Sequence, residues 1–172
     1  KGLRVLENSL LGPGLVGTFL SDLGAEVIKV ESPSGDYIRQ MTWPIIQGDS
    51  LLHLHTHRGK RSVAINLKDE DGAKIYRNLL EKTDVVVEAM RPGTLERLGF
   101  GFDELVKINP KIVFCTISGY GATGPYRDLP SHGIAYDTWA GLIEPVVDED
   151  GFKRIPSMPN IGINVGPMLA AL

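Results

Sequence analysis

Apolar runs of strand length alternate along the chain with segments of helical period, the pattern of βαβ units wound around a mostly parallel sheet. Five strands are expected. Leu3–Glu7 is the first, Glu26–Glu31 alternates apolar with charged residues, Ser62–Leu67 and Asp84–Ala89 follow, and Lys111–Ser118 is the last. The unbroken Val85-Val86-Val87 triplet suits a central strand covered on both faces. Between the first two strands, Leu15–Leu23 reads as a helix closed by Gly24, a C-cap glycine. Asp69–Lys82 has acids in its first turn and sets Ile75, Leu79 and Leu80 on one face. Shorter helices are expected at Thr94–Leu98 and Asp103–Ile108, before the Asn109-Pro110 stop, and at Gly133–Leu142. Ser32–Gly48 and Gly119–Ser131, rich in Gly, Pro and Ser, read as loops over the sheet, where ligands bind.

Composition narrows this picture. With 172 residues and 42% hydrophobic side chains, the chain can build one globular core. Eighteen basic against 21 acidic side chains, net −3, give no electrostatic footprint for nucleic acid or an anionic membrane, so any basic site must be local. No apolar run approaches the roughly 18 residues of a membrane span, and no signal-peptide pattern opens the chain. A single cysteine, Cys115, allows no internal disulfide and fits a reducing compartment, so a cytoplasmic location is expected. The chain starts at Lys1 without an initiator methionine. It stops in Met168–Leu172, which has the composition of a buried helix and no C-cap glycine, so an N-terminal fragment of a longer polypeptide is expected.

The local basic residues are Arg39, Arg58, Lys60, Arg61, Lys68, Arg91 and Arg97, all in loops or at element ends beside the sheet. Fixed cations there suit an anionic nucleotide, and solvated loop charges are the alternative reading.

Several blocks carry a resemblance: Val5-Leu6-Glu7; Leu23-Gly24-Ala25-Glu26-Val27-Ile28-Lys29-Val30-Glu31; Gly35-Asp36 with Arg39; Arg58-Gly59-Lys60-Arg61-Ser62; Leu67-Lys68; Val87-Glu88 with Arg91-Pro92-Gly93 and Leu95-Glu96-Arg97-Leu98-Gly99; and Ser118-Gly119-Tyr120-Gly121 with Thr123-Gly124-Pro125 and Ala140-Gly141-Leu142. In this order and spacing the chain resembles the class III CoA-transferases, the CaiB/BaiF family, whose members include formyl-CoA and carnitine CoA-transferases and α-methylacyl-CoA racemase. The resemblance implies a large Rossmann-like α/β domain, of which residues 1–172 would be the N-terminal part. The small domain and a C-terminal return segment would lie outside this chain. It also implies coenzyme A as acyl-CoA substrate, a carboxylic acid as second substrate, an interlocked homodimer, and no metal. Matching positions make Arg39, Ile65, Lys68, Ala89, Met90, Arg91 and Arg97 CoA-contact candidates. Ala89 stands where the family usually has Asn.

His53, His55 and His57 alternate, which would set all three on one face of a strand, yet the family has no metal there. His132 falls where the racemase carries its proton-exchanging histidine; it either does that work or caps the following helix. In the transferases an aspartate attacks the thioester and then carries CoA. A gap-free alignment puts Ile163 at that aspartate, and a one-residue shift puts Asn164 there. Asn164 would otherwise be a helix N-cap ahead of Pro167. Three readings stand: a CoA-transferase, an acyl-CoA racemase using His132, or a CoA-binding half lacking the nucleophile, with a homologous partner subunit supplying the aspartate.

Overall fold

The structure, a computed structural model, describes residues 2–155 and 161–172. In chain order it runs β1 (Arg4–Asn8), α1 (Leu15–Asp22), β2 (Glu26–Glu31), the short pair β3 (Ile45–Ile46) and β4 (Asp49–Ser50), α2 (Leu51–His57), β5 (Arg61–Ala64) and α3 (Glu70–Leu80). There follow β6 (Val85–Glu88), α4 (Thr94–Arg97), α5 (Phe102–Ile108), β7 (Val113–Thr116), α6 (Gly133–Trp139), the pair β8 (Val146–Val147) and β9 (Lys153–Arg154), and α7 (Ile161–Ala171). The main sheet is parallel throughout, in the order β5-β2-β1-β6-β7.

Strand alternation divides the core between the two faces of this sheet. Leu6 and Val86 meet Tyr76 and Leu80 of α3, Leu95 of α4 and Leu105 of α5. Val5, Val27 and Val87 point the other way, onto Val16 of α1, with Ala171 of α7 packed alongside. Val86 and Val87 are fully buried, as the apolar triplet requires of a central strand. Helices therefore cover both faces, and the α/β expectation holds.

The α1 face of the sheet is not purely apolar. Glu7 of β1 and Lys29 of β2 are register neighbours, and both are buried, Lys29 to 1% exposure. The Lys29 ammonium sits 2.8 Å from Asp36 and 3.9 Å from Glu7, and donates to the Ser9 carbonyl at 2.6 Å. Lys60 reaches Glu7 at 2.8 Å and also donates to the Gly14 carbonyl. Two buried cations thus grip the two ends of the loop that leaves β1. Gly17 is what admits the arrangement: a methyl group there would lie 1.8 Å from Glu7 Oε2. Burial opposes ionisation of Asp36, but hydrogen bonds from His57 and Lys29 outweigh it and hold the carboxyl far below its usual range.

Two local expectations are corrected. The histidines lie on a helix, α2, whose N-cap Ser50 accepts from the His53 amide. Helical spacing brings His53 and His57 into a stacked pair, centroids 4.3 Å apart, while His55 faces outward. Among the described residues no group of three metal-capable side chains forms. Asn164 is no N-cap either. Helix α7 runs through it with Pro167 inside, and its first turn is capped from α6, where Asp137 accepts from the Gly162 amide at 3.0 Å. Nor does the end of α7 bury its apolar side chains in this chain: Pro167 and Ala171 turn inward, and Leu169 is 64% exposed.

Removing one partner of a buried ion pair leaves the other charge uncompensated, at a cost of about 3–5 kcal/mol. Lys29→Met is therefore expected to lower unfolding free energy by about that much in urea titrations of the natural-length protein. Adding Asp36→Asn should recover part of the loss. A near-neutral Lys29→Met would show that the network contributes no such constraint.

Candidate functional site

The chain passes from β1 outward to β2 and β5, then returns across β1 to β6 and β7. The connections leaving β1 and β6 therefore diverge, opening a crevice beyond the carboxyl ends of these two neighbouring strands, where ligands of open α/β sheets bind. A cleft of about 520 Å³ occupies that place. Leu10–Pro13 after β1, Ala89–Pro92 after β6 and Ile117–Tyr120 after β7 form its base, and His132, Tyr136 and one face of α7 close it.

The sequence-derived candidates separate in space. Ala89, Met90, Arg91, His132 and Ile163 line the cleft. Arg97 ends α4, and its guanidinium donates to Thr94 Oγ1. Ile65 and Lys68 follow β5 at the far edge of the sheet: Ile65 is buried, and Lys68 is exposed. Arg39 is held by Glu31 at 3.0 Å and Asp49 at 2.9 Å, bracing the loop that follows β2. Arg58, Lys60 and Arg61 are likewise paired, with Asp22, Glu7 and Glu26.

His132 occupies the N-cap position of α6, but its side chain makes no capping bond; its backbone carbonyl accepts from Ala135 instead. Ile163 is wedged between the loop after β1 and the start of α6. Side-chain carbons of Ile163 lie 2.6 Å from where a Cβ on Gly12 would be, and 2.5 Å from one on Gly133. The α7 positions that face the cleft are Gly162, Ile163, Gly166 and Pro167, and Asn164 lies outside its lining. No carboxylate is among the described residues of that lining. A side chain added at Gly166 would meet open space, with nothing within 4 Å of its Cβ.

Three features escaped the sequence reading. Tyr37 enters the cleft from the loop after β2. Arg127 lies within the Gly/Pro-rich loop 119–131 and borders this cleft as well as a second, of about 460 Å³, beside α4 and α5. Glu88, 3% exposed at the end of β6, faces the second cleft and accepts from the Met90 amide at 2.9 Å, fixing the turn that presents Ala89, Met90 and Arg91. Burial pushes the Glu88 carboxyl up to about 7.

A carboxyl raised in the folded state favours the folded protein while protonated, and that advantage fades as pH climbs from about 4.5 through about 7. Glu88→Gln, which keeps an acceptor for Met90, should melt like wild type at pH 4.5 and above it at pH 8. The expected gain is about 2–4 °C for each kcal/mol of desolvation relieved. Melting curves that stay parallel across this range would show Glu88 to be ionised normally.

Comparison with known proteins agrees with this architecture. The family model of CoA-transferase family III matches residues 1–172. The beta subunit of succinyl-CoA–L-malate CoA-transferase from Chloroflexus aurantiacus is 42% identical over 145 residues, covering 78% of this chain and 36% of that protein. Succinyl-CoA:glutarate CoA-transferase from Mus musculus is 41% identical over 168 residues, 96% of this chain and 38% of the relative. Among solved structures, a CAIB/BAIF family protein from Brucella suis superposes with a TM-score of 0.89 at 32% identity, over 99% of this chain and 46% of the other. This chain spans about two fifths of the length of the curated relatives it matches. No helix among the described residues is long and apolar enough to cross a membrane. On this evidence the chain belongs to CoA-transferase family III.

Proposed function

We propose that this chain is the N-terminal part of a CoA-binding domain, in an enzyme that moves CoA between an acyl-CoA thioester and a free carboxylic acid. The observation that carries the reading is the cleft at the β1–β6 switch point, with Arg91 in its wall and Arg97 and Arg127 beside it. Guanidinium groups at that place suit the phosphates of CoA, and the apolar Leu10, Leu11, Ile117 and Ile163 suit an extended thioester arm. Relatives named as succinyl-CoA transferases support dicarboxylic acyl groups as the first donors to test.

A second reading, the nucleophile-lacking half, is favoured by one specific feature: the cleft lining described here carries no carboxylate. In transfer through a covalent intermediate, a carboxylate oxygen attacks the thioester carbon, the C–S bond breaks, and CoA thiolate leaves. On this reading the carboxylate comes from outside the described residues, either from a further segment of the polypeptide or from a homologous partner subunit, and this chain anchors the CoA. An interlocked dimer would provide such a route. The racemase alternative likewise needs a second acid opposite His132, and none is among the described residues of the lining.

Natural-length protein incubated with succinyl-CoA and free acids, with CoA esters followed by mass, is expected to exchange CoA between acids. With a chiral 2-methylacyl-CoA in place of succinyl-CoA, inversion at the α-carbon without exchange of CoA would favour the racemase instead. Within this chain, Asn164→Asp should leave exchange unchanged, whereas Gly166→Asp places a carboxylate in open cleft space and should yield a hydroxylamine-sensitive acyl adduct at that residue. Removal of a covalent nucleophile commonly costs on the order of 10⁴–10⁶ in rate, so even partial restoration is measurable. An adduct at position 164 would contradict the placement of α7.

A further inference from the structure

The second cleft, of about 460 Å³ beside α4 and α5, is large enough for a small ligand. Its floor is the sheet itself. Glu88 and Thr116 are register neighbours at the ends of β6 and β7, so alternation turns both to the same face, with Phe114 two residues before Thr116. Glu96 of α4 and Asp103 and Glu104 of α5 stand around this floor, and Arg127 reaches in from the loop 119–131. Glu96 and Asp103 are exposed, at the mouth.

Carboxyls outnumber cations in this cleft. Glu104 is neutralised by Lys107 at 2.6 Å, while Glu88, Glu96 and Asp103 have no ion pair among the described residues. Arg127 does not supply one. Its Nη2 lies 3.2 Å from where a Cβ on Gly93 would be, and no hydrogen bond or ion pair joins it to Glu88 among the described residues. Glu88 is 3% exposed, yet only one of its oxygens is engaged: Oε1 accepts from the Met90 amide at 2.9 Å, and Oε2 has no hydrogen bond among the described residues. A carboxylate offers about four acceptor positions, and burying it without a counter-charge is costly. Tyr76 of α3, close enough to feel the Glu88 charge, gives no relief, since its hydroxyl accepts from Asn8 at 2.6 Å and burial keeps it protonated.

We propose that the second cleft binds a small organic cation, an ammonium on an apolar stem, with its charged head on Glu88 Oε2 and its stem against Phe102 and Phe114. The two rings are stacked with centroids 6.1 Å apart, an apolar wall whose aromatic faces also attract a cation. Among the described residues no three acids gather closely enough to hold a metal ion, so the charges surround a volume rather than a point. That suits an organic head group. Glu96 and Asp103 at the mouth draw the cation inward, and the buried carboxyl gains there the counter-charge that the described residues withhold. The site is separate from the first cleft and does not rest on what fills it.

The test titrates natural-length protein, without CoA, with benzylammonium and with benzyl alcohol, its neutral counterpart, and follows binding by calorimetry. Benzylammonium is expected to bind about 10-fold more tightly than the alcohol. Glu88→Gln, which keeps an acceptor for the Met90 amide and with it the turn, should remove that preference. Ionisation gives a second readout. Because burial raises Glu88 to about 7, wild-type affinity for benzylammonium should rise by roughly 10-fold from pH 6 to pH 8, with a proton released on binding, and the rise should be absent in Glu88→Gln. A purely structural Glu88 would move neither readout. Equal affinity for the alcohol would make the cleft an apolar hollow, and undiminished binding in Glu88→Gln would put the cation elsewhere; either result overturns the site. So does wild type that binds no benzylammonium, as when a basic side chain from the rest of the polypeptide already fills the cleft.

Discussion

The position of the cleft depends on two buried ammonium groups. Lys29 and Lys60 emerge from different places in the chain, yet each is neutralised by Glu7 or Asp36 and each spends a remaining proton on a carbonyl of the loop after β1. A hydrophobic pair of similar volume could fill the same space with equal or better stability, but it would not hold Ser9 and Gly14 at fixed points. Between those points the backbone passes through Leu11 at φ 53°, a left-handed conformation that a β-carbon disfavours. Such a residue persists where its surroundings over-determine it. The ion network supplies that determination, and the loop so fixed forms one wall of the cleft.

Electrostatics then differ from one side of the cleft to the other. Under α1 and α2, charges are matched almost one to one: Arg39 with Glu31 and Asp49, Arg58 with Asp22, Lys60 with Glu7. Around the turn after β6 the pairing is looser: among the described residues Arg91, Arg97 and Arg127 have no carboxylate at hydrogen-bonding distance, and Asp128 stands 3.9 Å from Arg127 Nε. Guanidinium groups beside a switch-point crevice suit an anionic ligand. Across from them, α7 presents two glycines, an isoleucine and a proline. Pro167 has no amide hydrogen to return to the Ile163 carbonyl, so this helix faces the cleft as an apolar, partly opened surface.

Most of the sheet was legible because buried strands leave a simple imprint. Glu26–Glu31 was bounded to the residue, and Val85–Val87 behaved as a doubly covered strand. Alternation also misled. In β2 it reads as one dry face and one wet face, whereas Lys29 and Glu31 are buried among partners from β1, the loop after β2 and β5, all remote in sequence. In 53–57 the histidines alternate at period two, but Ser50 caps a helix, and burial follows residues 53 and 56 instead. Asn164 ahead of Pro167 looked like a cap because a proline favours a first turn; Asp137 provides the cap from another helix. Arg127 left no periodic signal, since its place beside the Gly93 turn depends on residues about thirty positions apart in the chain.

The central claim is that the crevice beyond β1 and β6 is the CoA site. A crystal structure of the natural-length protein with CoA bound tests it most directly. The account places the CoA phosphates against the Arg91–Gly93 turn and Arg127, with the thiol arm running toward His132 and Ile163. CoA held instead at the far sheet edge, by Lys68 and the turn after β5, with the arginine cluster untouched, would contradict it.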